Sequence, residues 1–329
     1  MSMATQKISA NGRKVTVLGA GVAGLCAATA LEAAGFEVVL VDPAPPAASA
    51  SWLAGAMLGP WCEAATAPEV FDQGRGAVDW WAAHVPDVAR RGTLVVTPPR
   101  DRADLGDFAR RTTGYEEIGP ERIAELEPDL AGRFRTALYY PDEAHLDPRA
   151  ALTALEARLA ARGVARMAEV PDADGLVVDC RGMAAQTHLA DLRAVRGEML
   201  VLRSHDVRLS RPVRLLHPRF PVYIVPRGDG RFMIGATMVE SAQGGAITAR
   251  SVMELLGAAY SLHPAFGEAE ILETGAGLRP AFPDNLPRIV RGADRVHLNG
   301  MYRHGFLLAP ALAQELAAQL AAEEMSHAH

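Results

Sequence analysis

Lysine is nearly missing from this chain: among 33 basic residues in 329, only Lys7 and Lys14 are lysines, and both sit close to its beginning. A Schiff-base enzyme, a phosphate-binding P-loop or a pyridoxal-phosphate site each needs a lysine deep in a pocket, so those chemistries are excluded in practice. Cationic work falls to arginine, whose planar fork suits carboxylates. Cysteine is scarce as well. Cys26, Cys62 and Cys180 are odd in number and far apart, which argues against a disulfide framework or a thiolate metal site and for reduced, buried thiols. No stretch of about eighteen apolar residues occurs. The opening MSMATQKISANGRK has no apolar segment either, so neither a membrane span nor a signal peptide is expected, and the cytoplasm is the expected location. With 39 acidic residues against 33 basic ones the net charge is −6, and no basic stripe is offered to a nucleic acid. No Ser, His and Asp arrangement suited to acyl transfer is visible. Nor is any grouping with metal-ligand spacing, so no metal is expected.

What the chain does carry is concentrated in residues 15–42, VTVLGAGVAGLCAATALEAAGFEVVLVD. A short apolar strand runs into Gly19, Gly21 and Gly24, an alanine-rich helix follows to Gly35, and a second apolar strand ends on Asp42. This is a βαβ unit with the spacing a dinucleotide needs. Gly19 permits the tight turn, Gly21 lets the backbone approach a pyrophosphate, and Gly24 lets helix and strand touch. Phosphates would rest on the free N–H groups where the helix begins near Val22. Asp42 would accept hydrogen bonds from both ribose hydroxyls. Thirty glycines make a chance triplet common, so the weight lies on strand, helix and terminal acid occurring in register.

Downstream, residues 43–50 (PAPPAASA) read as a loop. Residues 92–97 and the hairpin-like 222–237 read as strands, and 148–161 and 251–260 as helices. Residues 176–182 are another apolar strand meeting a glycine. Residues 296–305 repeat that pattern ahead of a helix from Phe306 that should bury Leu312, Leu316 and Leu320, with Pro310 in its first turn. Nucleotide-binding elements thus recur at the start, middle and end. The expected fold is α/β: a Rossmann-type domain from residues 1–90, 146–190 and 275–329, with a mixed-sheet (α+β) substrate domain inserted as 91–145 and 191–274.

The glycine unit is joined by residues 50–63 (ASWLAGAMLGPWCE), 137–148 (ALYYPDEAHLDP), 223–238 (YIVPRGDGRFMIGATM), 277–287 (GLRPAFPDNLP) and 299–310 (NGMYRHGFLLAP). In this order the strings cover most of the chain, which resembles the flavin-dependent amino-acid oxidases, the D-amino-acid oxidase family, and within it the glycine oxidase branch of thiamine biosynthesis. The resemblance implies that the Rossmann-type domain is an FAD-binding domain holding its cofactor noncovalently. It also implies oxidative deamination of glycine or another small amino acid to the 2-oxo acid, ammonia and hydrogen peroxide. Molecular oxygen is then the second substrate, and thiamine (thiazole) biosynthesis the use of the product. Two departures stand out. Residues 162–175 (RGVARMAEVPDADG) are shorter than the family's segment, which leaves the adenine contacts near Val170 open, and the lysine with which sarcosine oxidase-like relatives activate oxygen has no counterpart. A D-amino-acid or sarcosine dehydrogenase with another electron acceptor, and a flavin-binding scaffold subunit without turnover, stay open as alternatives, as does a homo-oligomer.

On this resemblance FAD lies along Gly19, Ala20, Gly21, Val22, Ala23 and Gly24, beside Asp42, Pro43, Ser49, Ser51, Gly55, Ala56 and Met57. Val170, Cys180 and Gly182 follow, and Arg279, Gly300, Tyr302, Arg303, His304, Gly305, Phe306 and Leu307 stand at the redox end. Arg279, in GLRP, would fork the substrate carboxylate; read alone it would be one more surface arginine. Tyr223 would give the same carboxylate a phenol hydrogen bond, unless it packs in the core as strand aromatics do. Met57 and Met238 would line a narrow apolar pocket, although methionine as often fills a core. Arg303 would close the pocket, and His304 is as readily structural as catalytic. The amides of Gly305, Phe306 and Leu307 would stabilise negative charge gathering on the reduced flavin.

Overall fold

The strands of the chain fall into two large sheets and a small ribbon. The computed structural model describes residues 14–98, 101–170, 175–217 and 221–327. Expectations resting on the first thirteen residues, Lys7 among them, and on 171–174 of the shortened segment lie outside the described residues. The first sheet holds β1 (Lys14–Leu18), β2 (Glu37–Val41), β8 (Arg166–Met167), β9 (Leu176–Asp179), β16 (Arg288–Arg291) and β17 (Arg295–Asn299) in the order β16-β17-β9-β1-β2-β8. All its pairings are parallel except β16 with β17. Its central strands are near-continuous apolar runs, as a sheet covered on both faces requires.

The second sheet has nine strands: β4 (Thr93–Val96), β5 (Glu116–Ile118), β6 (Ala137–Tyr140), β10 (Arg193–Arg203), β11 (Val213–Leu215), β12 (Val222–Pro226), β13 (Arg231–Gly235), β14 (Val239–Glu240) and β15 (Glu270–Ala281). Only β11 with β4 is parallel. The strands β3 (Met57–Leu58) and β7 (Ala144–His145) form a small ribbon. The helices are α1 (Val22–Ala33), α2 (Pro60–Glu63), α3 (Glu69–Gly74), α4 (Ala77–His84), α5 (Arg102–Ala109), α6 (Pro120–Leu126), α7 (Pro148–Ala161), α8 (Ala249–Leu262) and α9 (Gly305–His327). The chain crosses between the two sheets repeatedly. The expected boundary at 275 falls inside β15, which pairs with β10 from Glu270 through Ala281 as one strand of the second sheet.

Side-chain caps fix the starts of α7 and α8. Asp147 accepts hydrogen bonds from the amides of Arg149 (2.8 Å) and Ala150 (3.1 Å), and Pro148 opens α7, so that helix starts where the sequence places it. Thr248 caps α8 through the Ser251 amide, and Leu255, Ala258, Ala259 and Leu262 then pack against the second sheet in one core with Leu200, Ile224 and Ile234. In α9, Leu312, Leu316 and Leu320 are buried as expected. Pro310, however, lies inside α9, because the helix already begins at Gly305. A proline there lacks the N–H that would bond the carbonyl four residues earlier. That carbonyl, on Phe306, accepts instead from the Trp81 indole at 2.7 Å. By length and composition α9 could cross a membrane, yet more than half of its apolar window is buried inside the protein, in the core it shares with α1.

Candidate active site

The first turn is fixed by backbone sterics. Gly19 has φ +96°, and a Cβ there would lie 2.9 Å from the Cys180 carbonyl oxygen; at Gly24 it would lie 1.8 Å from the Gly19 oxygen. No side chain fits at Gly24, so α1 crosses β1 at contact distance and its N-terminus is carried to the sheet edge. Gly21 is the N-cap residue, and the Val22 amide donates to Ser51 Oγ at 3.1 Å. Asp42 stands at the end of β2. Its Oδ2 accepts from the Ala20 amide (2.7 Å) and its Oδ1 from the Ala44 amide (2.9 Å), which orients the carboxylate while leaving lone pairs for a ligand. Arg166 of β8 lies 3.6 Å from Asp42 Oδ1 and donates to the Asp42 carbonyl at 3.0 Å.

From this turn one cleft of about 930 Å³ continues past residues 42–51 and 53–57 to Tyr223, Arg279 and the turn that opens α9. That is ample for a cofactor with a substrate, since such sites hold roughly 300–1,000 Å³. Every residue expected to bind cofactor or substrate lines it except three. Gly24 acts through helix packing. Val170 does not reach the cleft and is 47% exposed, because β8 is short and the chain leaves the sheet edge there. Gly300 is a turn residue with φ +80°, where a Cβ would meet the Phe282 ring at 2.3 Å.

At the far end, strand register gathers residues from distant parts of the chain. Arg214 pairs with Tyr223, Tyr223 with Gly235, Gly235 with Met199 and Met199 with Gly275. Residues directly opposite across an antiparallel pair share a face. The same alternation puts Gly197, Gly277 and Arg279 on that face. Arg279 is half-buried, and the one hydrogen bond its side chain makes among the described residues is from Nη1 to the Thr237 carbonyl at 3.0 Å. Its guanidinium lies across Gly197, where a Cβ would stand 2.1 Å from Cζ. The Tyr223 ring is slotted between two glycines: a Cβ on Gly55 would lie 2.6 Å, and on Gly235 2.9 Å, from its Cε2. Met57 is half-buried in β3. Met238 is 47% exposed, and its Sδ accepts from the Tyr302 hydroxyl at 3.4 Å and Arg303 Nη1 at 3.8 Å. Arg227 is a half-buried cation whose side-chain hydrogen bonds among the described residues all go to carbonyls, of Leu146, Ala54 and Gly55, and so it pins the loop leading to Ala56, which is held at φ +50°.

The cleft also contains a charge cluster that the sequence reading passed over. Glu63, at the end of α2, pairs with Arg214 and lies 2.8 Å from Arg303 Nη2 and 3.4 Å from His304 Nδ1. Burial alone would push its carboxyl up; the charges of Arg303 and Arg214 overcome this and hold it well below the usual carboxylate range. Burial pushes His304 down to about 4 despite Glu63, so its imidazole is neutral at pH 7. Arg303 is therefore not a free lid over the pocket, for Glu63, Thr66 and Met238 all engage it. At the start of α9 the amides of Leu307 and Leu308 donate to the His304 carbonyl, leaving those of Gly305 and Phe306 at the opening turn. Glu63 closes one of the strings quoted above and Arg214 interrupts the apolar VRL, but 151 residues separate them, and no local pattern reports their meeting.

The comparisons with known proteins agree with this geometry. A family model described as FAD dependent oxidoreductase (DAO) matches residues 14–319. A Rhizobium etli protein named as a thiamine biosynthesis oxidoreductase, ThiO, is 57% identical over 318 residues, covering 94% of this chain and 97% of its own length. A glycine oxidase of Pseudomonas aeruginosa is 28% identical over 350 residues, covering 94% of this chain and 95% of its own length. The crystal structure of glycine oxidase from Bacillus cereus superposes with a TM-score of 0.80 at 24% identity, over 94% of this chain and 95% of that one, a likeness of fold. The glycine cradle at 19–24, the oriented Asp42 and the length of the cleft all fit the cofactor this family uses. The chain therefore belongs to the DAO family of FAD-dependent oxidoreductases.

Proposed function

We propose that this protein oxidises glycine, or another small amino acid, with molecular oxygen and water, giving the 2-oxo acid, ammonia and hydrogen peroxide, and that the product serves thiazole formation in thiamine biosynthesis. The observation that carries the reading is Arg279: a guanidinium lining the cofactor cleft with no carboxylate partner among the described residues, beside a phenol held on the same sheet face. A half-buried, unpaired fork of that kind is a receptor for one carboxylate. The names of the Rhizobium etli and Pseudomonas aeruginosa relatives support the substrate and its use.

FAD, when bound, supplies the two-electron acceptor and the route to oxygen. The chain's own contribution is placement. Gly19 to Ala23, Ser51 and Asp42 would hold the nucleotide half, and the amides of Gly305 and Phe306 the redox end. Arg279 and Tyr223 would fix the substrate carboxylate, and so the direction of its α-carbon. Among the described residues no strong base stands nearby, since Glu63 is locked in ion pairs and His304 is weak. The substrate amine must consequently shed its proton before it reacts. The cytoplasm is the proposed location, in keeping with three buried free thiols.

The test is a panel of glycine, sarcosine and D-alanine assayed for peroxide and for dye reduction, in wild type and Arg279→Ala. Glycine oxidation with stoichiometric peroxide is expected. In the variant, kcat/KM should fall at least about 100-fold with the flavin spectrum intact, since a bidentate charge-assisted pair is worth roughly 1.5–3 kcal/mol per bond. Dye reduction without peroxide would overturn the oxidase assignment. Unchanged kinetics in Arg279→Ala would remove the role given to that residue.

A further inference from the structure

Three guanidiniums meet at the substrate end of the cleft, and among the described residues one carboxylate, Glu63, lies within ion-pair distance of any of them. Arg214 and Arg303 converge on Glu63, while Arg279 has no acidic partner among the described residues. The two centres adjoin. Arg279 bonds the carbonyl of Thr237, and the next residue, Met238, takes Arg303 and Tyr302 on its sulfur. Arg214 stands directly opposite Tyr223 in the strand register, on the face that carries Arg279. Glu63 is only 9% exposed, and the fourth member of the cluster, His304, is buried as well. A buried carboxylate so placed has the position and charge of a second substrate carboxylate.

Resting on the amino-acid oxidase reading above, we propose that Glu63 is a specificity-determining residue: it fills the anion site formed by Arg214 and Arg303, so that the pocket takes amines bearing one carboxylate and rejects amine dicarboxylates. A second carboxylate entering the cleft would find its cations taken and would meet a like charge, the repulsive element from which specificity is commonly built. Glu63→Gln keeps the shape and removes the charge. Arg303 and Arg214 then lose their ion-pair partner, with only Glu143, whose carboxyl burial pushes up, left near Arg214 among the described residues, and a dicarboxylate can supply the missing charge. With iminodiacetate as substrate, a methylene C–H and the N–H are lost and a C=N bond forms. The two electrons and two protons end on oxygen as hydrogen peroxide, and water splits the C=N product into glyoxylate and glycine.

The experiment uses holoenzyme, wild type and Glu63→Gln, with peroxide release from glycine and from iminodiacetate. Binding of acetate and malonate, which are not turned over, is measured in parallel by thermal shift. Wild type should prefer glycine and bind malonate no more tightly than acetate. The variant should raise the iminodiacetate-to-glycine ratio of kcat/KM, and the malonate-to-acetate affinity ratio, each by about tenfold, equivalent to ~1.4 kcal/mol. Unmoved or lowered ratios would overturn the proposal. So would a wild type that already favours malonate, which can be read even if the variant does not fold. A wild type that oxidises no amino acid defeats the reaction assignment alone, because the acetate and malonate arm still judges Glu63.

Discussion

A methyl group placed on Gly197 would stand 2.1 Å from both Cζ and Nη2 of Arg279, whereas a real Cβ essentially never approaches another heavy atom within 3.0 Å. In Gly197→Ala something must therefore yield by about 1 Å, and the yielding atoms are the end of a flexible side chain. The β10 backbone, paired from Gly197 to Gly277, has no reason to move. What changes is the aim of the guanidinium, which is pushed off the strand and away from the Thr237 carbonyl that it bonds at 3.0 Å. A misplacement of about 1 Å in a group that orients substrate costs on the order of 100-fold in rate, or about 2.7 kcal/mol in the barrier. The expected result is a fall of that size in kcat/KM for glycine. FAD retention and unfolding free energy should stay within about 0.5 kcal/mol of wild type. If the loss acts through Arg279, the double variant Gly197→Ala/Arg279→Ala should be no worse than Arg279→Ala alone. Activity within about threefold of wild type, or full additivity of the two losses, would refute the reasoning.

Other outcomes follow from the same contacts. Gly24→Val should yield colourless protein that retains no flavin, because its Cβ would sit 1.8 Å from a backbone oxygen that cannot yield; a yellow preparation would contradict this. Trp81→Phe leaves the Phe306 carbonyl, freed by Pro310, without its 2.7 Å partner. It should lower the unfolding free energy in urea by about 1–3 kcal/mol, and an unchanged midpoint would count against it. Stability should fall as pH drops from 6.5 toward 4, because burial pushes His145 and His304 down to about 4. In that window the unfolded chain takes protons that the folded chain refuses, costing up to about 1.4 kcal/mol per pH unit for each histidine. Glu63, held ionised in the fold, adds to the loss below pH 4.5. A flat profile of unfolding free energy from pH 6.5 to 4.5 would show the imidazoles to be solvated.

Short-range features were legible. The unit from Lys14 to Val41 was readable because its glycines, its apolar runs and Asp42 interact within some thirty residues, where spacing translates directly into geometry. Helix α7 was readable end to end because Asp147 and Pro148 act on their immediate neighbours. The place of Pro310 within α9 was misread. Pro310 suits a first turn, and only Trp81, brought in from α4, makes it acceptable deeper in the helix. Val170, expected beside the cofactor, is not among the residues lining the cleft, because a sequence does not say how far a short edge strand carries its chain.

Local chemistry within the sequence determined the dinucleotide turn, the helix caps and the types of residue available for binding a carboxylate, arginine having almost no competition from lysine. The tertiary structure alone decided that Arg279 lies over Gly197, that Tyr223 slots between Gly55 and Gly235, and that Arg214 and Arg303 converge on Glu63 inside the cleft. These are contacts across strand registers and between segments far apart in the chain. Such pairings are set by the packing of whole sheets, and the residues concerned carry no local mark of the neighbours they will meet.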